Sequence, residues 1–150
     1  MWIADKWRDY ELLDCGEGRR LERWGNVLLN RPDPQAIWRK NDSDAWEKAD
    51  GVYERSREGG GHWENRRMPE NWQVCYGRLT FLIKPMSFKH TGVFPEQAPN
   101  WDFIMRKVRE RKGVLNVLNL FAYTGGATLA AAQAGAQVCH VDASKGMLAM

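Results

Sequence analysis

Apolar residues are concentrated in two short runs near the C-terminal end of the chain, with a glycine-containing turn between them. The first run, residues 114–121, is rich in leucine and valine and is interrupted by only two asparagines. It is too short and too apolar for a half-exposed helix, so it predicts a parallel β-strand buried on both faces. The second run, residues 137–141, follows an alanine-rich stretch typical of a helix and ends at Asp142. Strand, glycine turn, helix, strand and terminal acid predict the first half of a nucleotide-binding α/β unit.

The turn after the first strand contains Gly125 and Gly126. Because neither residue has a Cβ atom, the backbone can bend sharply there and a ligand can approach it closely. Thr124 is a candidate N-cap for the helix, and Gly135 is placed to end that helix in the left-handed conformation. At the end of the second strand, the carboxylate of Asp142 can accept hydrogen bonds from both hydroxyls of a ribose.

The spacing of the glycines separates two classes of nucleotide ligand. A loop that binds a dinucleotide has three glycines, so that a pyrophosphate can lie on the helix terminus. Here Phe121 and Tyr123 stand at the two earlier loop positions, where they would crowd a pyrophosphate. A ligand without phosphate, such as S-adenosylmethionine (SAM), fits this loop better. An NAD(P)-dependent oxidoreductase and an α/β domain with an empty crevice remain as alternatives.

Three motifs of the chain occur in the order and at the spacing of one enzyme family. They are residues 89–97 (KHTGVFPEQ), 119–126 (NLFAYTGG) and 141–144 (VDAS). At these residues the chain resembles class I SAM-dependent methyltransferases, and more narrowly the bacterial enzymes related to large-subunit ribosomal RNA cytosine-C5 methyltransferases. The resemblance covers residues 78–150 well and the first 77 only loosely. Many class I enzymes have glycine where this chain has Phe121 and Tyr123, and the aromatic version is typical of this subgroup.

The resemblance implies a SAM-binding role for residues of all three motifs. The loop residues that would line the methionine and ribose portions of SAM are Phe121, Tyr123, Thr124, Gly125 and Gly126. Asp142 would hold the ribose hydroxyls, and Ser144, which also suits the cap of the next helix, would lie near the adenine. Gly92, Phe94 and Gln97 would close one wall of the pocket. Structural alternatives stay open: a turn packed on the first strand for Phe94 and Gln97, a helix cap for Asp142, and plain turn positions for the glycines.

The resemblance also implies an α/β fold that begins a Rossmann-like class I methyltransferase sheet, preceded by a small β-rich α+β domain. The predicted division is residues 1–98 for the β-rich domain and residues 99–150 for the first part of the SAM-binding domain. Only two parallel strands are predicted before the sequence stops, and a doubly wound sheet needs several. We therefore expect a truncated sheet, incomplete at its C-terminal end, from a protein about twice as long. Alone, such a fragment is expected to be poorly stable and inactive.

The first hundred residues predict short strands and turns. Short strands are expected over residues 10–14 and 20–30, with turns at residues 16–18 and at Gly25. A hairpin is expected at 72–76 and 78–83 around Gly77. Asp33 followed by Pro34 predicts the start of a helix over residues 33–38. The charged segment 41–67, with three consecutive glycines, predicts an exposed and mobile excursion. An apolar face of Trp101, Ile104, Met105 and Val108 predicts a helix over about residues 100–112, stopped by Gly113.

Composition indicates a cytoplasmic protein. The sequence has no run of 18 or more apolar residues, so no membrane span is predicted. The N-terminus lacks the pattern of a signal peptide. The three cysteines, Cys15, Cys75 and Cys139, have neither an even count nor metal-ligand spacing, so we expect reduced thiols and no metal.

RNA is the expected substrate, chiefly because of the resemblance. Eight tryptophans and the basic pairs at 19–20, 39–40 and 66–67 suit stacking on unpaired bases and contact with phosphates, yet the net charge is only +3. An RNA-binding module without catalysis remains a third alternative. Cytosine-C5 methylation uses a cysteine thiolate, which in the family lies beyond the point where this sequence stops. No catalytic residue is therefore assigned.

Overall fold

The chain has a mixed α/β fold that divides into two compact units. We describe it from a computed structural model that covers residues 2–41, 43–86 and 89–148. The five-stranded unit comprises residues 7–75 and 82–92, and the βαβ unit comprises residues 1–6, 76–81 and 93–150. The domain boundary expected after residue 98 stays a prediction.

One mixed sheet forms most of the five-stranded unit. Its strands follow the chain in space, in the order β1 to β5, and all neighbours are antiparallel except β3 and β4. The elements are β1 (Tyr10–Gly16), β2 (Arg19–Trp24), β3 (Val27–Pro32), α1 (Ser43–Glu47), β4 (Gly51–Arg55) and β5 (Gly61–Asn65). Inward positions of these strands bury Leu21, Trp24 and Leu29 completely. The turn predicted at Gly25 is confirmed and divides the stretch 20–30 between β2 and β3.

The segment over residues 33–38 is a turn rather than the predicted helix. Asp33 accepts backbone hydrogen bonds from Gln35 and Ala36, which close a single turn. The carbonyl oxygens of Ala36 and Trp38 then accept hydrogen bonds from the turn that joins β1 and β2. Because those carbonyls are committed to a distant segment, the helix suggested by the local cap does not continue.

Residues 41 and 43–67 are structured, so the expected mobile excursion is wrong, and residue 42 lies outside the described residues. Their helix α1 buries Trp46, and β4 and β5 form a hairpin that buries Val52 and Tyr53. The three glycines lie at the turn of this hairpin.

A buried ion pair crosses from β2 to β3. Arg31 donates hydrogen bonds from Nε and Nη2 to the two carboxylate oxygens of Glu22, at 2.6 and 2.8 Å. Tyr10 donates its hydroxyl to the same carboxylate at 3.0 Å, and burial raises the pKa of Tyr10. Sequence analysis did not identify this network, because a charged residue on a strand is usually exposed.

The βαβ unit contains the predicted strand–turn–helix–strand. Strand β8 (Asn116–Leu120) and strand β9 (Gln137–Val141) pair in parallel, and helix α3 (Gly126–Gln133) connects them. Helix α2 (Ala98–Arg109) packs against α3, and α4 (Lys145–Leu148) follows β9. Helix α2 follows a 3₁₀ turn (Pro95–Gln97) and ends at Arg109, earlier than the predicted end just before Gly113.

The predicted hairpin is confirmed as β6 (Trp72–Tyr76) and β7 (Leu79–Ile83), which form a two-stranded sheet.

Strand β8 is covered on one face only, which differs from the predicted strand buried on both. The side chains of Val117 and Asn119 are half-buried on the face that α3 packs against. Leu118 and Leu120 point to the other face and remain 60% and 54% exposed.

In the part of the chain that the structure describes, no helix is long and apolar enough to cross a membrane. In the same residues, no cluster of acidic, cysteine and histidine side chains could hold a metal ion.

Candidate functional site

Nine of the ten residues expected to line a cofactor pocket lie in the βαβ unit, and the tenth, Gly92, lies in the five-stranded unit. The loop over residues 121–125 leaves β8, and Asp142 directly follows β9. Because the strands are parallel, their carboxyl ends meet at one edge of the sheet, where α/β proteins bind ligands. Phe94 and Gln97 lie at the 3₁₀ turn before α2, and Ser144 directly precedes α4.

The backbone of this loop is unusual. Phe121 and Tyr123 have φ angles of +55° and +53°, and Gly125 has a φ of +96°. Left-handed backbone is costly for a residue with a bulky side chain, and such residues concentrate at functional sites. The loop is stabilised by hydrogen bonds from the Ala122 N–H to the Val141 carbonyl (3.0 Å) and from the Gly125 N–H to the Ala122 carbonyl (2.9 Å).

Asp142 connects the loop to the end of β9. Its Oδ2 accepts a hydrogen bond from the Tyr123 N–H, and its Oδ1 accepts one from the Ser144 N–H, both at 2.8 Å. The N–H groups of Ser144 and Tyr123 lower the pKa of the Asp142 carboxyl below its ordinary value, because they stabilise the charged form. The carboxylate predicted to hold a ribose therefore also holds the loop.

Two aromatic rings meet beside this carboxylate. The rings of Phe94 and Tyr123 lie 5.0 Å apart between centroids, at an angle of 37°. Phe94 is 39% exposed, whereas Phe121 is 92% exposed at the tip of the loop. The structure thus brings Phe94 to the loop. The side chain of Gln97 accepts a hydrogen bond from its neighbour Asn100 at 2.9 Å.

Gly126 is needed for helix packing as well as for the turn. A Cβ atom on Gly126 would lie 2.9 Å from Cζ2 of Trp101, the buried tryptophan of α2. On Gly125, a Cβ atom would lie 3.3 Å from Cε1 of His140. The N-cap of α3 is Gly125, which has no side chain, and not Thr124 as predicted. Gly135 follows the helix with a φ of +104°, as predicted.

A chain of polar side chains under the loop was missed by the sequence analysis. Asn119 of β8 donates its Nδ2 to the Thr128 hydroxyl of α3 at 2.9 Å. The same hydroxyl lies 2.8 Å from Nδ1 of His140 on β9. Asn119, a polar residue inside an apolar strand, was the available signal. The chain connects all three elements that carry the loop.

Together these features offer a carboxylate with remaining acceptor capacity, an aromatic wall and a backbone stretch without side chains. The carboxylate suits vicinal hydroxyls, and the glycines allow close approach of a ligand. Phe121 and Tyr123 stand where a dinucleotide-binding loop has glycines. The arrangement therefore favours a nucleoside that carries no phosphate.

Comparison with known proteins gives matches among solved structures. No known family profile matches the chain, and no curated protein sequence matches it. A SAM-dependent methyltransferase from Agrobacterium tumefaciens is 39% identical, with a TM-score of 0.90 over 95% of this chain. A protein from Streptococcus mutans assigned as a SAM-dependent methyltransferase is 20% identical, with a TM-score of 0.69 over 97% of the chain. A third, assigned as a methyltransferase and crystallised with S-adenosylhomocysteine (SAH), is 20% identical, with a TM-score of 0.64 over 97% of the chain.

The chain spans less than half the length of these proteins, namely 46% of the Agrobacterium protein and 41% of each of the other two. The two matches at 20% identity show a shared fold, whereas the match at 39% extends to the sequence of nearly the whole chain. The structural neighbours of this chain are SAM-dependent methyltransferases.

Proposed function

We propose that this protein is a SAM-dependent methyltransferase and that the loop over residues 121–126 binds its cofactor. The observation that carries the proposal is the similarity to the Agrobacterium SAM-dependent methyltransferase, at 39% identity over 95% of the chain. The geometry supports it independently, since loop and carboxylate meet at the edge where α/β sheets bind nucleosides. In this interpretation β8, α3 and β9 begin a Rossmann-like class I sheet.

The residues at this edge fit the chemistry of SAM. Each oxygen of Asp142 already accepts one backbone hydrogen bond and has a further lone pair for a ribose hydroxyl. Gly125 and Gly126 let the methionine portion approach the backbone, with Phe121, Tyr123 and Thr124 beside it. When bound, SAM supplies a methyl group on a sulfonium, for transfer to a nucleophile held in line with it.

The remaining proposed contacts concern the adenine side of the cofactor. Phe94 would provide an aromatic surface, because it is partly exposed and packs on Tyr123. Gln97 and Ser144 are both exposed and carry polar groups for the rim of the site. These residues bind and orient the cofactor, and none of them moves a proton.

We propose RNA as the methyl acceptor, with cytosine C5 as the atom and the cytoplasm as the compartment. The support is the resemblance of the three motifs at residues 89–97, 119–126 and 141–144 to ribosomal RNA cytosine-C5 methyltransferases. That reaction needs a thiolate to attack the base. Cys139 lies on the exposed face of β9, Cys75 is exposed and Cys15 half-buried. We assign none of these three thiols as the nucleophile.

Calorimetric titration of the purified chain with SAH and with NAD tests the cofactor. We expect saturable binding of SAH and none of NAD, because the loop has no place for a pyrophosphate. Binding of NAD without SAH would instead favour an oxidoreductase. The acceptor is tested with the longer protein of which this chain is expected to be a part, by transfer of a tritiated methyl group from SAM to ribosomal RNA and identification of the methylated base. A methylated base other than cytosine would refute the C5 assignment but not the cofactor.

A further inference from the structure

The N-terminal residues and helix α2, both within the βαβ unit, enclose an open cavity of about 630 Å³. Its walls include Trp2 and Phe103, which are 60% and 38% exposed, together with Arg106 and Arg109. The N-terminal segment is tied to the helix by an ion pair of 2.6 Å between Lys6 and Asp102. This cavity is separate from the loop over residues 121–126, none of whose residues lines it.

Aromatic rings and cationic side chains lie close together in this cavity. The rings of Trp2 and Phe103 lie 5.3 Å apart, tilted by 45°. The guanidinium carbon of Arg106 lies 5.8 Å from the Trp2 ring and 5.7 Å from the Phe103 ring. Nζ of Lys107 lies 5.8 Å from the centroid of the Phe103 ring. Exposed rings with a planar cation beside both of them form a surface on which unpaired bases stack.

The charge of the cavity is positive, because its lining has three cationic side chains and two carboxylates, namely Lys6, Arg106, Arg109, Asp102 and Glu110. Asp102 accepts hydrogen bonds from Lys6 and from the hydroxyl of Tyr76, at 2.6 and 3.0 Å. Glu110 accepts one from Lys107 at 2.9 Å, which lowers the pKa of its carboxyl. Arg106 and Arg109 are exposed and can contact a phosphate group, although Nε of Arg106 lies 3.8 Å from Glu110 and Arg109 donates a hydrogen bond to Gln133.

Each of the three basic pairs that the sequence suggested for RNA contact has at least one side chain in an ion pair within the five-stranded unit. Arg19 donates to Asn30 and to the Tyr53 carbonyl, and Arg67 donates to Asp50 and to the Lys48 carbonyl. Six of the eight tryptophans are likewise buried or half-buried, and only Trp2 and Trp38 are exposed. The structure thus favours a different surface from the one predicted.

We propose that this aromatic–cation cavity binds unpaired bases of a single-stranded RNA segment, with Trp2 and Phe103 stacking on bases and Arg106 and Arg109 contacting phosphates. The proposal rests on RNA as the acceptor and adds a location for its binding. A cavity of this size accommodates one or two nucleotides.

Fluorescence anisotropy with a labelled oligouridylate of about 12 nucleotides tests the surface. We expect Trp2→Ala to weaken binding by about tenfold, since loss of one base–aromatic stack has an effect of that order. Arg106→Gln is expected to weaken binding and to reduce the slope of log affinity against log salt by about one. Phe103→Leu keeps the apolar volume and removes the stacking ring, so it separates stacking from folding. Double-stranded RNA of the same length should bind more weakly, because its bases are not free to stack.

Matched controls are Trp38→Ala, at an equally exposed tryptophan of the five-stranded unit, and Arg57→Gln, at an exposed arginine of a hairpin turn. Both should leave RNA affinity unchanged. Unaltered affinity in Trp2→Ala and Phe103→Leu, or an equal loss in Trp38→Ala, would overturn the proposal. Titration of every variant with SAH distinguishes the two proposals. If the chain binds RNA through Trp2 but does not bind SAH, only the proposed methyltransferase function is contradicted. If it binds SAH but its RNA affinity does not depend on Trp2, only the proposed RNA-binding cavity is contradicted.

Discussion

The carboxylate of Asp142 accepts a hydrogen bond from the backbone N–H of Tyr123, with 2.8 Å between Oδ2 and N. Tyr123 has a left-handed backbone, with a φ of +53°, so this bond stabilises a conformation that is costly for tyrosine. Asp142 therefore has two expected tasks, namely holding the loop in place and binding the ribose of a cofactor. Both depend on its negative charge.

Replacing Asp142 by asparagine should lower the affinity for SAH by about tenfold or more, because hydrogen bonds to an ionised acceptor are about twice as strong as neutral ones. Asparagine keeps the shape and one acceptor oxygen. The measurement is calorimetric titration with SAH. The matched control is Asp33→Asn, since Asp33 also accepts a hydrogen bond from the N–H two residues later but lies in the five-stranded unit. Equal affinities of Asp142→Asn and the unaltered chain would contradict the proposed ribose contact.

Protonation of Asp142 should not lower the affinity for SAH between pH 7 and pH 5. Its pKa in the folded chain lies below the ordinary 3.8, chiefly because of hydrogen bonds from the N–H groups of Ser144 and Tyr123. A depressed pKa means that the stabilising contribution is present above the ordinary value and is lost as the pH falls through the folded value. The ¹³C chemical shift of the Asp142 carboxyl carbon, followed by NMR over pH 2–7, gives the midpoint. A midpoint above 3.8 would show that these hydrogen bonds do not form.

Gly126→Ala should destabilise the chain by about 1–3 kcal/mol, the usual cost of adding a methyl group to a filled site. The added Cβ would lie 2.9 Å from the Trp101 ring, so α2 and α3 would have to separate. Urea unfolding measured by circular dichroism gives the difference in the free energy of unfolding. The control is Gly146→Ala in α4, where the new Cβ would have no neighbour closer than 3.9 Å. That variant should be neutral or slightly more stable, because alanine favours a helix. Similar effects of the two substitutions would argue against the close approach of Trp101.

Thr128→Val should lower the free energy of unfolding by about 1–3 kcal/mol, because it leaves Asn119 and His140 without the hydroxyl that joins them. Valine has almost the same shape as threonine, so packing is preserved. Thr128→Ser keeps the hydroxyl and should retain most of the stability. The comparison of the three unfolding curves isolates the hydroxyl, and a valine variant as stable as the original would show that the polar chain contributes little.

In the five-stranded unit, Glu22→Gln should be strongly destabilising, by about 3–5 kcal/mol, since it leaves the charge of buried Arg31 uncompensated. Glu54→Gln removes an ion pair with Arg19 in the same sheet, but Glu54 is 41% exposed. Its effect should be below about 1 kcal/mol, as for surface ion pairs in general. Chemical unfolding followed by tryptophan fluorescence compares the two variants. A small effect at Glu22 would mean that water or another group compensates Arg31.

Local patterns predicted the elements that carry the candidate site. The apolar run before Gly125, the alanine-rich segment and the run before Asp142 correspond to β8, α3 and β9. Each of these signals lies within about ten residues of chain, and hydrophobic periodicity and glycine turns act over that distance. The face of α2 that contains Trp101 was predicted in the same way, and Trp101 is the buried residue of that face.

Signals that depend on distant residues were misread. The cap at Asp33 suggested a helix, but the carbonyls after it are hydrogen-bonded to the turn between β1 and β2. The charged segment 41–67 suggested mobility, yet it contributes Trp46 to the core. In both cases the deciding partner is about twenty or more residues away, where neither capping nor composition carries information.

The sequence by itself determined the order of strand, glycine turn, helix and acid, because these follow from local apolar patterning and from the backbone freedom of glycine. Only the tertiary structure decided that Asp142 holds the backbone of Tyr123, that Gly126 admits the ring of Trp101, and that Thr128 joins Asn119 to His140. Each of these contacts joins residues between 9 and 25 positions apart. The reason is physical: a hydrogen bond or a close approach needs both partners in position, and folding of the whole unit brings them together.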